Sequence, residues 1–105
     1  MESTNKYNED YYERGIETHT SCYQNYHWMP EMTIKMAMAM IDKLGIKKGD
    51  QVLDFGCAKG FLVRAFRLLW RNAWGVDISS YCIENLDPDV KRYCSIMESD
   101  ELPLG

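Results

Sequence analysis

The chain has 105 residues, a mass of 12.3 kDa, a net charge of −4 and a pI near 5.1. That length holds one small core and excludes two independent ones. The acidic balance offers no overall attraction to a phosphate backbone, which argues against nucleic acid as a partner. No apolar run approaches the roughly 20 residues that cross a bilayer, which argues against membrane insertion.

Four cysteines, Cys22, Cys57, Cys82 and Cys94, include no C-x-x-C pair, and the opening "MESTNKYNED" has neither a basic nor an apolar targeting segment. Reduced thiols in the cytoplasm are expected. Residues 1–20 read as a flexible polar leader that tightens near Tyr11 and Tyr12. The next stretch, "SCYQNYHWMPE", is dense in aromatics with polar handles, so it is either a strap over the core or a lid.

From Pro30 the pattern turns helical. Ile34, Met38, Ile41 and Leu44 recur on one face, Pro30 suits the first turn and Gly45 is a C-terminal stop. The methionines of this helix read as core filler. "QVLDF", residues 51–55, predicts a strand that is apolar on both faces, as in a sheet covered on both sides.

"FLVRAFRLLWRN", residues 61–72, predicts a helix with Leu62, Ala65, Phe66 and Leu69 on one face and Arg64, Arg67 and Arg71 on another. A solvated face or an anion grip would both account for the arginines. "AWGVD" predicts a second strand over 73–77, "SSYCIENL" a helix capped by Ser79 or Ser80, and "VKRYC" a third strand over 90–94. Strands alternating with helices on short connections predict an α/β fold with a parallel sheet.

In such sheets ligands bind at the carboxyl ends of the strands, so the turn after Phe55 is the expected site. Gly56 and Gly60 bracket it and allow close backbone approach. A phosphate-binding P-loop would need Lys and Ser or Thr after the last glycine, where Phe61 and Leu62 stand. A dinucleotide fingerprint needs G-x-G-x-x-G, and the spacing here is Gly56, Ala58, Gly60.

"VLDFGCAKG" resembles the first motif of the class I S-adenosylmethionine-dependent methyltransferases, an apolar strand followed by D-x-G-x-G-x-G. The resemblance implies a Rossmann-like parallel sheet and S-adenosylmethionine as cofactor. It gives Asp54, Gly56, Cys57, Ala58 and Gly60 to the methionine part of the cofactor. It gives Asp77, at the end of "WGVD", to the ribose hydroxyls and Ile78 to the adenine ring. Glu98, with Asp100 as rival, would reach the adenine amino group. "YQNYHWMPE" resembles the aromatic segment preceding this core in some methyltransferases, which would bring Tyr23, Tyr26, His27 and Trp28 to the pocket.

Ala58 replaces the middle glycine, and its Cβ costs on the order of 1 kcal/mol if that position needs φ > 0. The resemblance covers roughly residues 21–105 as a single partial domain: an aromatic lid and helix over 21–44, then a cofactor-binding half over 45–105. The family's core has seven strands and this chain accounts for about three, so it carries no catalytic residue across. The expected activity is methyl transfer to a small metabolite or glycan. The alternatives are a non-catalytic S-adenosylmethionine-binding module, one that completes a partner protein, and the NAD-binding half of a dehydrogenase. His19, Cys22 and His27 match no metal-ligand spacing. The first strand, exposed as an edge, is expected to pair with a second copy or a complementing chain.

Overall fold

A computed structural model describes residues 6–21 and 23–97. The chain runs α1 (Glu9–Glu13), α2 (Gly15–Thr18), α3 (Pro30–Leu44), β1 (Gln51–Phe55), α4 (Phe61–Leu68), β2 (Asn72–Asp77), α5 (Ser80–Glu84), a 3-10 turn (Lys91–Tyr93) and β3 (Cys94–Ile96). The strands form one parallel sheet in the order β1-β2-β3. Both crossovers step across the sheet in the same direction, so right-handed connections put α4 and α5 on the same face.

That face holds the core. Val63, Ala65 and Phe66 of α4 are fully buried with Ala73, Cys57, Val90 and Cys94, and Ile83 and Leu86 pack against them. Burying side chains the size of Val63 and Phe66 stabilises the fold by about 1.5–3 kcal/mol each. Helix α3 lies beside α4 through Thr33 and Ala37, small residues that permit close approach, with Met40 and Ile41 at the margin. Pro30 takes the first helical position, and Gly45, at φ +66°, donates its N–H to the Ile41 carbonyl. The buried stripe overlaps the predicted one in part: Ile34 and Ile41 pack against the core, while Met32, Met36, Met38 and Leu44 face solvent because the fully buried line of the helix runs through Thr33 and Ala37.

No helix packs along the length of the opposite face of the sheet among the described residues, although Val76 on that face is buried, Tyr12 of α1 comes near Phe55, and Arg67 of α4 reaches over the Trp74 ring. Leu53, Phe55 and Trp74 point that way and are 38%, 47% and 43% exposed. This corrects the expectation of a strand covered on both sides. Apolar residues on both faces of β1 marked a strand fit for double burial, and the described elements supply one layer only.

Two predicted boundaries also move. Helix α4 ends at Leu68 rather than 72, because Trp70 adopts φ +65° and the N–H of Arg71 turns back to the Phe66 carbonyl at 2.9 Å. The third strand begins at Cys94 rather than 90. The Asp87 carbonyl accepts from Val90 and Lys91 N–H at 3.0 and 3.1 Å, and the Val90 carbonyl from Tyr93, so turns consume those residues and drive Val90 into the core.

Candidate functional site

The loop after β1 is shaped by what lies beneath it. Gly56 and Cys57 both donate their N–H to the Val76 carbonyl, at 2.7 and 2.9 Å, which bends the chain across the end of β2. Cys57 then sits directly on Gly75: a Cβ there would lie 2.6 Å from Cys57 Cβ, so β2 needs glycine at that point. The Gly60 N–H closes the turn on the Cys57 carbonyl at 2.8 Å. Gly60 itself has φ +77°, and a Cβ on it would meet Cys94 Sγ at 3.0 Å. Ala58 does occupy the left-handed region, at φ +51°.

That strained backbone has a partner. The Ala58 N–H donates to Asp77 Oδ2 at 2.7 Å, and the Ser79 N–H donates to Asp77 Oδ1 at 2.8 Å. One acid at the tip of β2 thus ties together the loop after β1 and the start of α5. Each carboxylate oxygen keeps acceptor capacity for a ligand hydroxyl. Asp54, by contrast, has no hydrogen bond or ion pair reaching its carboxylate among the described residues. Burial, with the Asp77 charge adding to it, pushes the Asp54 carboxyl above its usual range. A half-buried carboxylate beside a second acid calls for a cationic or donating group from a ligand.

A pocket of about 240 Å³ opens at these strand tips, lined by Tyr7, Tyr12, Phe55, Gly56, Asp77, Ile78 and Met97. Small-molecule sites typically measure ~300–1,000 Å³, so this one takes part of a cofactor-sized molecule. Of the residues singled out from the sequence, Gly56, Asp77 and Ile78 line the pocket. Ala58 acts through its N–H on Asp77, while Cys57 and Gly60 are buried under the loop. Tyr26 packs on Tyr12 and Phe61, close enough for the Asp54 charge to act on it; burial first, then Tyr23, pushes its phenol up. Trp28 lies instead against Phe61 and over the Arg64 guanidinium, 4.6 Å from its ring centre. Glu98 and Asp100 lie outside the described residues, as does Cys22.

Sequence reasoning missed Tyr7, Tyr12 and Met97. Tyr12 is 5% exposed, in a segment read as a polar leader, and burial together with Cys82 and Asp77 pushes its phenol well above the ordinary range. The signal was the tyrosine spacing around α1, where Tyr7, Tyr11, Tyr12, Tyr23 and Tyr26 form one chain of ring contacts.

The arginine stripe of α4 is a structural fastening. Arg64 pairs with Asp87 and Asp89 at 3.0 Å, Arg67 donates to the Ala73 carbonyl and stacks on Tyr93, and Arg71 donates to the Ile46 and Leu69 carbonyls. The groove of about 740 Å³ near the start of β2 is bordered by these three engaged arginines and by Arg92, which lies over the Tyr93 ring at 4.9 Å.

No helix among the described residues is long and apolar enough to cross a membrane. A protein-family model described as a methyltransferase domain matches residues 27–101. No curated protein and no solved structure matches the chain. The match spans most of the sequence and falls on α3, the glycine loop, the acid-tipped strands and the parallel sheet, so the chain belongs to this class I S-adenosylmethionine-dependent methyltransferase family.

Proposed function

We propose that the pocket at the tips of β1 and β2 binds S-adenosylmethionine and that the chain serves methyl transfer to a small metabolite or glycan. The observation that carries this reading is the pair of acids in two different states: Asp77 held by two backbone N–H groups, and Asp54 half-buried with no hydrogen-bond or ion-pair partner among the described residues. An adenosine with a zwitterionic amino acid tail meets both needs. Asp77 accepts from the ribose hydroxyls, Ile78 packs on the adenine, and Asp54 faces the ammonium of the methionine part across the Gly56–Gly60 turn. Glu98 is proposed for the adenine amino group.

The sulfonium of the bound cofactor supplies an activated methyl group. The protein's share is to orient and to exclude water, and Tyr7, Tyr12 and Tyr26 offer aromatic faces suited to a cation. The net charge of −4 favours an uncharged or cationic acceptor over nucleic acid. Cys57, Cys82 and Cys94 are free thiols, which suits a reducing cytoplasm.

Titration calorimetry with S-adenosylhomocysteine and, separately, with NAD tests the proposal. Saturable binding of S-adenosylhomocysteine without NAD supports it; binding of NAD alone would overturn it.

A further inference from the structure

Lys59 sits in the middle of the glycine loop, between the residue that holds Asp77 and the glycine that starts α4, yet its ammonium is absent from the pocket lining. It donates instead to the Glu13 carboxylate and, at 3.0 Å, to the Tyr26 carbonyl, and lies over the rings of Tyr81 and Tyr26 at 5.4 and 5.7 Å. Glu13, the last residue of α1, also accepts from the Tyr81 hydroxyl at 2.7 Å. The ion pair is largely shielded, with side chains 13% and 20% exposed. Three segments thus converge on one carboxylate: α1, the loop after β1 and the helix after β2.

The consequence lies in what α1 carries. Tyr12 forms a wall of the pocket, and Tyr7, just upstream, forms another while its carbonyl accepts from Ser79 Oγ at 2.5 Å. One side of the pocket therefore belongs to the N-terminal segment and the other to the strand tips. Enlarging this pocket of about 240 Å³ on that side requires the N-terminal segment to move, and the contacts of Glu13 resist the motion together with the Ser79 bond to the Tyr7 carbonyl and the burial of Tyr12. Burial alone would push the Glu13 carboxyl up, but the hydrogen bonds from Lys59 and Tyr81 and the Lys59 charge outweigh it and hold it below the usual range.

We propose that Lys59, Glu13 and Tyr81 form a latch that fastens the N-terminal segment over the pocket and sets how long a bound ligand stays. Its role toward the ligand rests on the cofactor reading above; the fastening itself does not. The three are positioning residues, and ligand and latch stabilise each other reciprocally.

Two measurements on the full chain test this. In stopped-flow displacement, Lys59→Met is expected to speed S-adenosylhomocysteine dissociation about tenfold and Tyr81→Phe about threefold, with little change in association. The Glu13→Gln/Lys59→Met pair is expected to be no faster than Lys59→Met, because one unit is broken once. In limited trypsin digestion without ligand, cleavage after Arg14 is expected to accelerate in both Lys59→Met and Tyr81→Phe. Tyr81→Phe removes one hydroxyl and keeps the ring, so it guards against a variant that fails to fold. Variants that melt lower yet dissociate ligand at the parent rate would overturn the latch as a positioning device. Unchanged cleavage after Arg14 would overturn the fastening. If the parent protein binds no S-adenosylhomocysteine, the cofactor reading and with it the latch's ligand role fail, while the fastening is still decided by trypsin.

Discussion

The Ala58 N–H donates to Asp77 Oδ2 at 2.7 Å while Ala58 holds φ +51°, so a strained residue keeps in place the acid proposed to receive the ribose. An L-residue in the left-handed region costs roughly 1–2 kcal/mol. Ala58→Gly retains the N–H and releases that strain, so it is expected to raise the melting temperature by several degrees without weakening S-adenosylhomocysteine binding. Ala58→Pro removes the donor and cannot adopt the angle, and is expected to lower both. Thermal melts and calorimetry check the pair.

At Asp54 the proposed function works against stability. Its carboxyl is pushed up by burial and by Asp77, so its contribution to stability is present below the unfolded pKa near 3.8 and lost as pH rises through the higher folded value. At neutral pH the charged group is a liability in the ligand-free fold. Asp54→Asn is expected to melt higher than the parent at pH 7 and to lose that advantage near pH 3.5, while weakening S-adenosylhomocysteine binding by about tenfold or more through the lost charge-assisted contact. Melts at the two pH values and one titration decide it.

Gly75 is a steric prediction. A Cβ there would stand 2.6 Å from Cys57 Cβ and 3.0 Å from Val63 Cγ2, so Gly75→Ala forces the loop off the sheet. A loss of about 1–3 kcal/mol is expected by chemical denaturation, with partial recovery in Gly75→Ala/Cys57→Gly.

Two thiols near the site, Cys57 and Cys82, are expected to be inert. The hydrogen bond to Cys94, then burial, pushes the Cys57 thiol up, and burial pushes Cys82 up to about 11. Thiolate is therefore scarce at neutral pH. Peptide mass spectrometry after iodoacetamide treatment should find Cys57 and Cys82 unmodified in the native chain and labelled in denaturant.

The exposed Leu53 face and the edge of β1, which no strand pairs among the described residues, are expected to bring two copies together, since antiparallel pairing of two β1 edges about a two-fold satisfies both at once. Sedimentation velocity should show a dimer at tens of micromolar protein, shifted toward monomer by Leu53→Lys. A concentration-independent parent monomer would contradict this.

Much of the sheet was legible because its cues are local. Residues 51–55 announce a strand by apolar run and glycine stop, and Asp77 ends the next one as expected. The start of β3 was not legible, because the turns hung on the Asp87 carbonyl compete with a β-rich stretch and win through the burial of Val90. Nor was the role of the N-terminal segment, whose decisive contacts, Lys59 to Glu13 in α1 and Ser79 to Tyr7 just before it, span 46 and 72 residues of chain. A sequence pattern reports the face a residue presents to its own element, not the distant partner that fastens it.

The proposed function stands on Asp77 receiving a ribose at the tip of β2. A crystal structure of the chain with S-adenosylhomocysteine tests it most directly. The expected result places both ribose hydroxyls within hydrogen-bond distance of the Asp77 carboxylate, with Ala58 and Ser79 N–H still bound to it and the ammonium turned toward Asp54. A ribose lodged elsewhere, with Asp77 contacting only its two backbone donors, would contradict the account.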